Sequence, residues 1–230
     1  MNKGKIVIIV IFLGLVILYI SSLYQLSLPD SVIFTKIYKE NKWEKGSGPG
    51  SYEKNTIIYR KLLQNYFDDQ RFQTIIDFGC GDFQIMKLIN VPVDKIYKGI
   101  DVVPEVIQQD KKHYAKANIK FYLIKDLYEI NPQDQILQGD LLIIKDVLMH
   151  WSNKKIQYFI DQILPNYKYA LITHDIAEDA KLNKNINTGN FRPIDITHPP
   201  FNLKNAKMVL EYEGGGRKRV YFYTNPNLVK

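Results

Sequence analysis

Short apolar runs alternate with mixed stretches along residues 71–175, an alternation that predicts a β/α succession. Residues 74–78, 95–101, 120–124, 140–144 and 169–173 read as strands. The fourth is nearly continuous in apolar side chains, as a strand buried on both faces should be. Helices are predicted at 104–114 and at 154–164, the second capped by Ser152-Asn153 with Ile156, Phe159, Ile160 and Ile163 on one face. Residues 85–89 read as the opening of a helix directly behind the first strand. Residues 208–212 and 219–223, joined through Gly214-Gly215-Gly216, predict an antiparallel hairpin.

Upstream, residues 31–45 form an amphipathic, aromatic-studded segment, and Gly46-Ser47-Gly48-Pro49-Gly50-Ser51 breaks any helix. Ser51 is the expected N-cap of a helix over 52–68, where Ile58, Leu62, Leu63 and Tyr66 fall at helical spacing. Residues 177–190 are polar, and 191–201 bring aromatics and prolines that predict an ordered, substrate-facing loop. The first 28 residues differ from all of this. Ile6 to Leu28 carries no charge and follows Lys3 and Lys5, long enough as a helix to cross a bilayer of about 30 Å. A cleaved signal peptide is the rival, but Ser21-Ser22-Leu23-Tyr24 is a poor cleavage site, so a retained single-pass membrane anchor is expected. Lys36, Lys39, Lys42 and Lys45 outnumber Lys3 and Lys5, which favours a cytoplasmic catalytic body. The expected organisation is an anchor at 1–28, a helical cap with a Gly/Ser loop at 29–70, and an α/β domain at 71–230.

The first strand ends in Asp77-Phe78-Gly79-Cys80-Gly81-Asp82. Gly79 and Gly81 remove the Cβ atoms that would keep a ligand from the backbone N–H groups. The rival is an NAD or FAD site, whose third glycine is here Gln84. A carboxylate at Asp77 would repel a pyrophosphate but attract an ammonium or sulfonium. Asp101, ending the second strand about 20 residues further on, stands where nucleotide-binding folds bond ribose hydroxyls. Val102 and Val103 then flank an adenine ring.

This acid-x-G-x-G stretch resembles the nucleotide-binding motif of the class I S-adenosylmethionine (SAM) dependent methyltransferases. The likeness covers residues 71–223. A looser one, through Tyr38, Asn41, Trp43 and Ser47-Gly48-x-Gly50-Ser51, is similar to a group of small bacterial and viral methyltransferases. It implies a Rossmann-like, mostly parallel sheet with a C-terminal antiparallel hairpin, and SAM as cofactor. Asp77, Gly79, Cys80 and Gly81 would hold its amino-acid part, Asp101 and Val102 the nucleoside, and Asp126 with Leu127 the adenine. The Gly/Ser loop would fold over the cofactor, and Trp43 would help hold the acceptor.

Composition changes this picture little. The 230 residues are 46% hydrophobic and 24% charged, which suits one ordinary domain plus an appendage. The net charge of +7 is scattered, with no basic block or RNA-binding signature, and argues against nucleic acid as partner. Cys80 is the single cysteine, so no intrachain disulfide exists. Ligands of open α/β sheets sit beyond the carboxyl ends of the strands. That rule puts Asp146 and His150, after the fourth strand, beside the reacting centre, with His150 as a base of near-neutral pKa. Packing or capping against Trp151 is the equal alternative for His150. His174 and Asp175, with Arg192 and Asp195 from the long loop, are placed in the acceptor pocket. Asp146, His174 and Asp175 lack a specific metal spacing, and no metal is expected. The N-P-P-aromatic signature of many amino-methylating enzymes is replaced by Lys145-Asp146-Val147-Leu148, so a hydroxyl of a small, sugar or lipid-linked molecule is the expected acceptor. A protein or nucleic acid nitrogen, or a SAM-binding protein without activity, are the alternatives.

Overall fold

The computed structural model describes residues 28–177 and 182–229. Helix α1 (Asp30–Lys39) and helix α2 (Ile57–Asp68) precede the sheet strands β1 (Thr74–Phe78), β2 (Ile96–Asp101), β3 (Ile119–Leu123), β4 (Leu141–Lys145) and β5 (Tyr169–Asp175). Helix α3 (Pro104–Tyr114) links β2 to β3, and helix α4 (Asn153–Tyr158) lies between β4 and β5. The hairpin strands β6 (Ala206–Glu213) and β7 (Arg217–Thr224) close the chain. The sheet order is β3-β2-β1-β4-β5-β7-β6, parallel through β5 and antiparallel at β7 and β6. This is the mostly parallel sheet with a terminal hairpin that the alternation predicts.

Period-two alternation along β1 distributes the core to both faces. Ile76 and Phe78 pack with Phe34 and Ile37 of α1 and with Ile156 of α4. Ile75 packs on the other face with Tyr59, Leu63 and Phe67 of α2. All five parallel strands run the same way, so their carboxyl ends gather at one edge, beneath the segment joining α1 to α2.

Three expected elements come out differently. No α-helix follows β1; residues 86–88 make only a single 3-10 turn. Gly79, Gly81 and Phe83 all have positive φ, and Pro92 keeps Val91 out of the helical region, so too few residues remain for a helix. Phe83 holds its disfavoured φ of 60° because its ring is packed among Tyr97, Tyr114 and Phe121. Second, Ser51 does not cap α2. It ends one of two 3-10 turns, the first tied down by Asn55 Nδ2 donating to the Pro49 carbonyl at 2.8 Å, and the helix starts at Ile57. Third, α4 widens after Tyr158 into a π turn and ends at Pro165; its Ser152 cap does form, accepting from Lys155 N–H at 3.3 Å.

Among the described residues no helix is long and apolar enough to cross a membrane. The anchor expected at 6–28 falls, except for Leu28, outside the described residues.

Candidate functional site

The glycine turn after β1 forms the floor of a cavity of about 300 Å³ at the carboxyl edge of the sheet. Asp77, Gly79, Cys80, Gly81, Asp101, Val102, Leu127, Trp43, Asp146, His150 and Asp175 all line it, so most of the expected site is brought together. Six aspartates face it (Asp30, Asp77, Asp82, Asp101, Asp146 and Asp175) against two lysines, Lys145 and Lys218. Such an excess of negative charge fits a cationic ligand and opposes a dinucleotide pyrophosphate.

Asp77 ends its strand almost wholly buried, with Tyr97 Oη donating to Oδ2 at 2.7 Å. Burial, opposed by that hydrogen bond and reinforced by Asp101, pushes its carboxyl up to about 6. The group is therefore an ionised carboxylate at neutral pH with no ion pair among the described residues, Lys145 acting on it only at longer range. Asp101 Oδ1 accepts from the N–H groups of Val102 (2.7 Å) and Val103 (3.0 Å), and Oδ2 from Gly81 N–H at 3.0 Å. One lone pair of Oδ2 remains. Asp101 thus suits a single ribose hydroxyl instead of the two its two oxygens suggest.

The Gly/Ser loop does close on this turn. Ser47 Oγ donates to Asp82 Oδ1 at 2.7 Å and accepts from Asp82 N–H at 3.1 Å, while Tyr38 Oη lies 2.7 Å from it. The Gly50 carbonyl accepts from Lys145 Nζ at 2.9 Å. A Cβ at Gly81 would collide with Ser47 Oγ, and Gly81 has φ +58°. Gly81→Ala is therefore expected to cost about 1–2 kcal/mol and to detach the loop. Faster proteolysis within 46–51 is the readout; wild-type cleavage would show that the latch does not hold the loop.

Beyond β4 lies a charge chain that sequence reasoning missed in half its members. Asp146, at φ 57°, is held by Lys145 and by Lys218 Nζ at 3.0 Å, and Lys218 reaches Asp175 Oδ1 at 2.5 Å. Burial would raise the Asp146 carboxyl, but the two ammonium groups outweigh it and hold it at about 2. Lys145 is legible as the charged residue completing an apolar strand. Lys218 has no such mark, because one lysine in a hairpin strand is ordinary.

His150 packs against Trp43 with ring centroids 4.8 Å apart and planes tilted by 41°, and Phe191 lies 5.9 Å away on the loop. His150 Nδ1 is 2.9 Å from the Asn190 carbonyl, which can only accept, so the proton sits on Nδ1 and Nε2 keeps its lone pair. Burial, opposed by that carbonyl and by Asp146, lowers its pKa to about 4, not the near-neutral value expected. Phe191, half exposed and lining the cavity, gave no signal beyond its place in an aromatic loop.

Four expected site residues lie elsewhere. Asp126 spends both oxygens on Tyr128 N–H (2.8 Å), Asp30 N–H (2.8 Å) and Lys155 Nζ (3.2 Å), leaving no lone pair aimed at an adenine amino group. His174 points to the opposite face of β5 from Asp175, fully buried against Tyr221. Burial lowers its pKa to about 4, and neither ring nitrogen makes a hydrogen bond of good geometry among the described residues. Arg192 is buried on the Leu148 carbonyl (2.9 Å) and Asn153 Oδ1 (2.9 Å), pinning the long loop to α4. Asp195 accepts from Thr197, Tyr221 Oη (2.9 Å) and Arg219 (3.2 Å), also a loop anchor. Burial raises its carboxyl, and hydrogen bonds from Thr197, Tyr221 and His198 overcome that and hold it at about 2.

A family model described as an O-methyltransferase domain matches residues 21–174. Among solved structures, human N-acetylserotonin methyltransferase in complex with SAM is similar at 17% identity and TM-score 0.51, over 73% of this chain and 51% of that one. The present chain spans about half the length of that human enzyme. The N-methyltransferase NodS from Bradyrhizobium japonicum WM9 is similar at 14% identity and TM-score 0.53, over 76% of this chain and 98% of its own. The same enzyme in complex with S-adenosyl-L-homocysteine matches at 13% identity and TM-score 0.53, over 80% of this chain and 91% of that one. At these identities the structures speak to the fold alone. No curated protein matches the sequence.

Proposed function

The chain belongs to the O-methyltransferase domain family and is a SAM-dependent methyltransferase, and from that premise we propose that it methylates a hydroxyl of a small, sugar or lipid-linked acceptor at a membrane. SAM supplies an activated methyl group and departs as S-adenosylhomocysteine. The chain's residues have two tasks, positioning and proton removal. Asp77 offers a buried, unpaired carboxylate to the cofactor's ammonium, and Asp101 Oδ2 accepts from a ribose hydroxyl. Leu127 and Val102 are the apolar surfaces available to the adenine. Trp43 and Phe191 form the walls between which an acceptor would lie against His150.

One observation carries the hydroxyl reading: His150 lines the cavity, and Nδ1–H donation to Asn190 leaves the lone pair on Nε2. A hydroxyl must lose its proton as its oxygen bonds to the methyl carbon, and Nε2 is positioned to take it. Nothing in the position of His150 requires a charged partner, and Asp146 nearby favours the imidazolium that results. An amine acceptor would need no such base, since its lone pair attacks directly. The uncharged run at 6–28 supports the membrane part of the proposal.

The test is transfer of tritiated methyl from SAM to lipid, glycan, protein and nucleic acid fractions of a cell lysate. Label in base-stable ethers of the lipid or glycan fraction supports the hydroxyl reading; label confined to protein or nucleic acid overturns it. With that fraction as acceptor, His150→Ala should lower kcat by roughly 100-fold or more with SAM affinity unchanged. Because the histidine titrates near about 4, the wild-type rate should show no limb at about pH 6.5, where an ordinary histidine would produce one. A full rate in His150→Ala removes the base from the mechanism.

A further inference from the structure

We propose that the face formed by residues 29–32 and the turn at 126–129 lies directly on the lipid bilayer, which sets the Asp30–Leu127 wall of the cavity at the headgroup layer. The inference rests on the proposed anchor at 6–28 and goes beyond it, because an anchor alone leaves the body free to turn any face to the membrane.

The structure removes that freedom. The uncharged run ends at Leu28, two residues before Asp30. Asp30 is 1% exposed and its carboxylate holds Lys155 Nζ at 2.6 Å, while the same ammonium reaches Asp126 at 3.2 Å. The backbone is fastened too: Asp30 N–H donates to Asp126 Oδ2 at 2.8 Å and Ser31 N–H to the Lys125 carbonyl at 3.0 Å. Two residues reach at most about 7 Å, so any bilayer that takes up 6–28 must begin at this face. Buried ion clusters contribute little net stability, and fixing one geometry is the use they best serve. Here that geometry is the exit direction of the apolar run.

The surface around the clamp suits an interface. Val32 and Tyr128, each two residues past a clamp aspartate, are 48% and 43% exposed. A tyrosine with an apolar ring and a polar tip fits the headgroup level. Lys36, Lys39 and Lys125 are exposed nearby; each has only a surface glutamate as partner, a pairing easily exchanged for anionic headgroups. Val93, 94% exposed, precedes β2 and so stands at the opposite edge of the sheet, roughly 15–20 Å away along the strands.

The experiment reconstitutes the full chain into vesicles of phosphatidylcholine and phosphatidylglycerol. Single cysteines at Val32, Tyr128 and Val93, in a Cys80→Ala background, carry an environment-sensitive fluorophore, and lipids spin-labelled near the headgroup quench it. Quenching at Val32 and Tyr128 several-fold above that at Val93 is the expected result. Equal quenching at all three, or greater quenching at Val93, overturns the proposal. Alkaline carbonate extraction separates the two readings: protein released from the vesicles overturns the anchor and this face together, whereas protein retained with flat quenching overturns the face alone.

Discussion

Asp77→Asn is expected to weaken SAM binding by at least about 100-fold while making the cofactor-free protein more stable. The carboxylate is pushed from an ordinary 3.8 to about 6 by burial, so the folded protein keeps a proton there that the unfolded chain has already lost. Between about pH 4 and about pH 6 the contribution of this group to stability therefore falls as pH rises, and at neutral pH the cost is fully present. A shift of that size corresponds to no more than about 3 kcal/mol. Asparagine carries no charge to desolvate and its Oδ1 still accepts from Tyr97, so the thermal midpoint should rise by about 5 °C. The same charge is what the ammonium of SAM meets, and wild-type affinity should decline as pH falls below about 6. Calorimetric titration with SAM and paired thermal melts check both halves. Undiminished SAM binding in Asp77→Asn would take the carboxylate out of the cofactor site, and a lowered midpoint would show that its charge is already compensated.

Lys155→Met should have the largest effect on folding. The ammonium is 4% exposed and stands between two buried carboxylates, Asp30 and Asp126. Removing it leaves those two acids facing each other without a cation, a loss of about 3–5 kcal/mol. Against a total of about 5–15 kcal/mol for a domain, that displaces the urea midpoint strongly and at the low end unfolds the protein. Burial already raises the Asp30 carboxyl, with Lys155 pulling it down, so without the lysine its carboxyl should rise further and take up a proton more readily. Acidifying the variant should then recover part of its stability, and adding Asp126→Asn should recover more. A Lys155→Met midpoint equal to wild type would mean that the cluster is solvated and clamps nothing.

Both effects come from carboxylates near the carboxyl ends of parallel strands, yet only Asp77 lines the cavity where the chain alone places it. Asp77 is legible because the acid is followed at once by two glycines, a pattern with few other uses. Asp126 lies three residues beyond β3, and its partner Lys155 lies 29 residues away on α4 while its second partner Asp30 lies before the sheet begins. Neither pairing leaves a local trace. His174 and Asp175 show the same limit at one-residue scale. Strand β5 is buried on both faces, so its sequence does not say which parity points at the cavity.

The sequence by itself determined the β/α succession, the terminal hairpin, the charge type of the ligand and the place of the glycine turn. Each depends on periodicity or on residues a few positions apart, which short-range sterics enforce. The tertiary structure alone decided which acids remain free, which histidine faces the cavity, that Lys145 and Lys218 neutralise Asp146, and that Phe83 closes off a helix. Those outcomes depend on which side chains meet across the sheet. A carboxylate becomes a ligand site or a clamp according to whether a cation from a distant segment reaches it first.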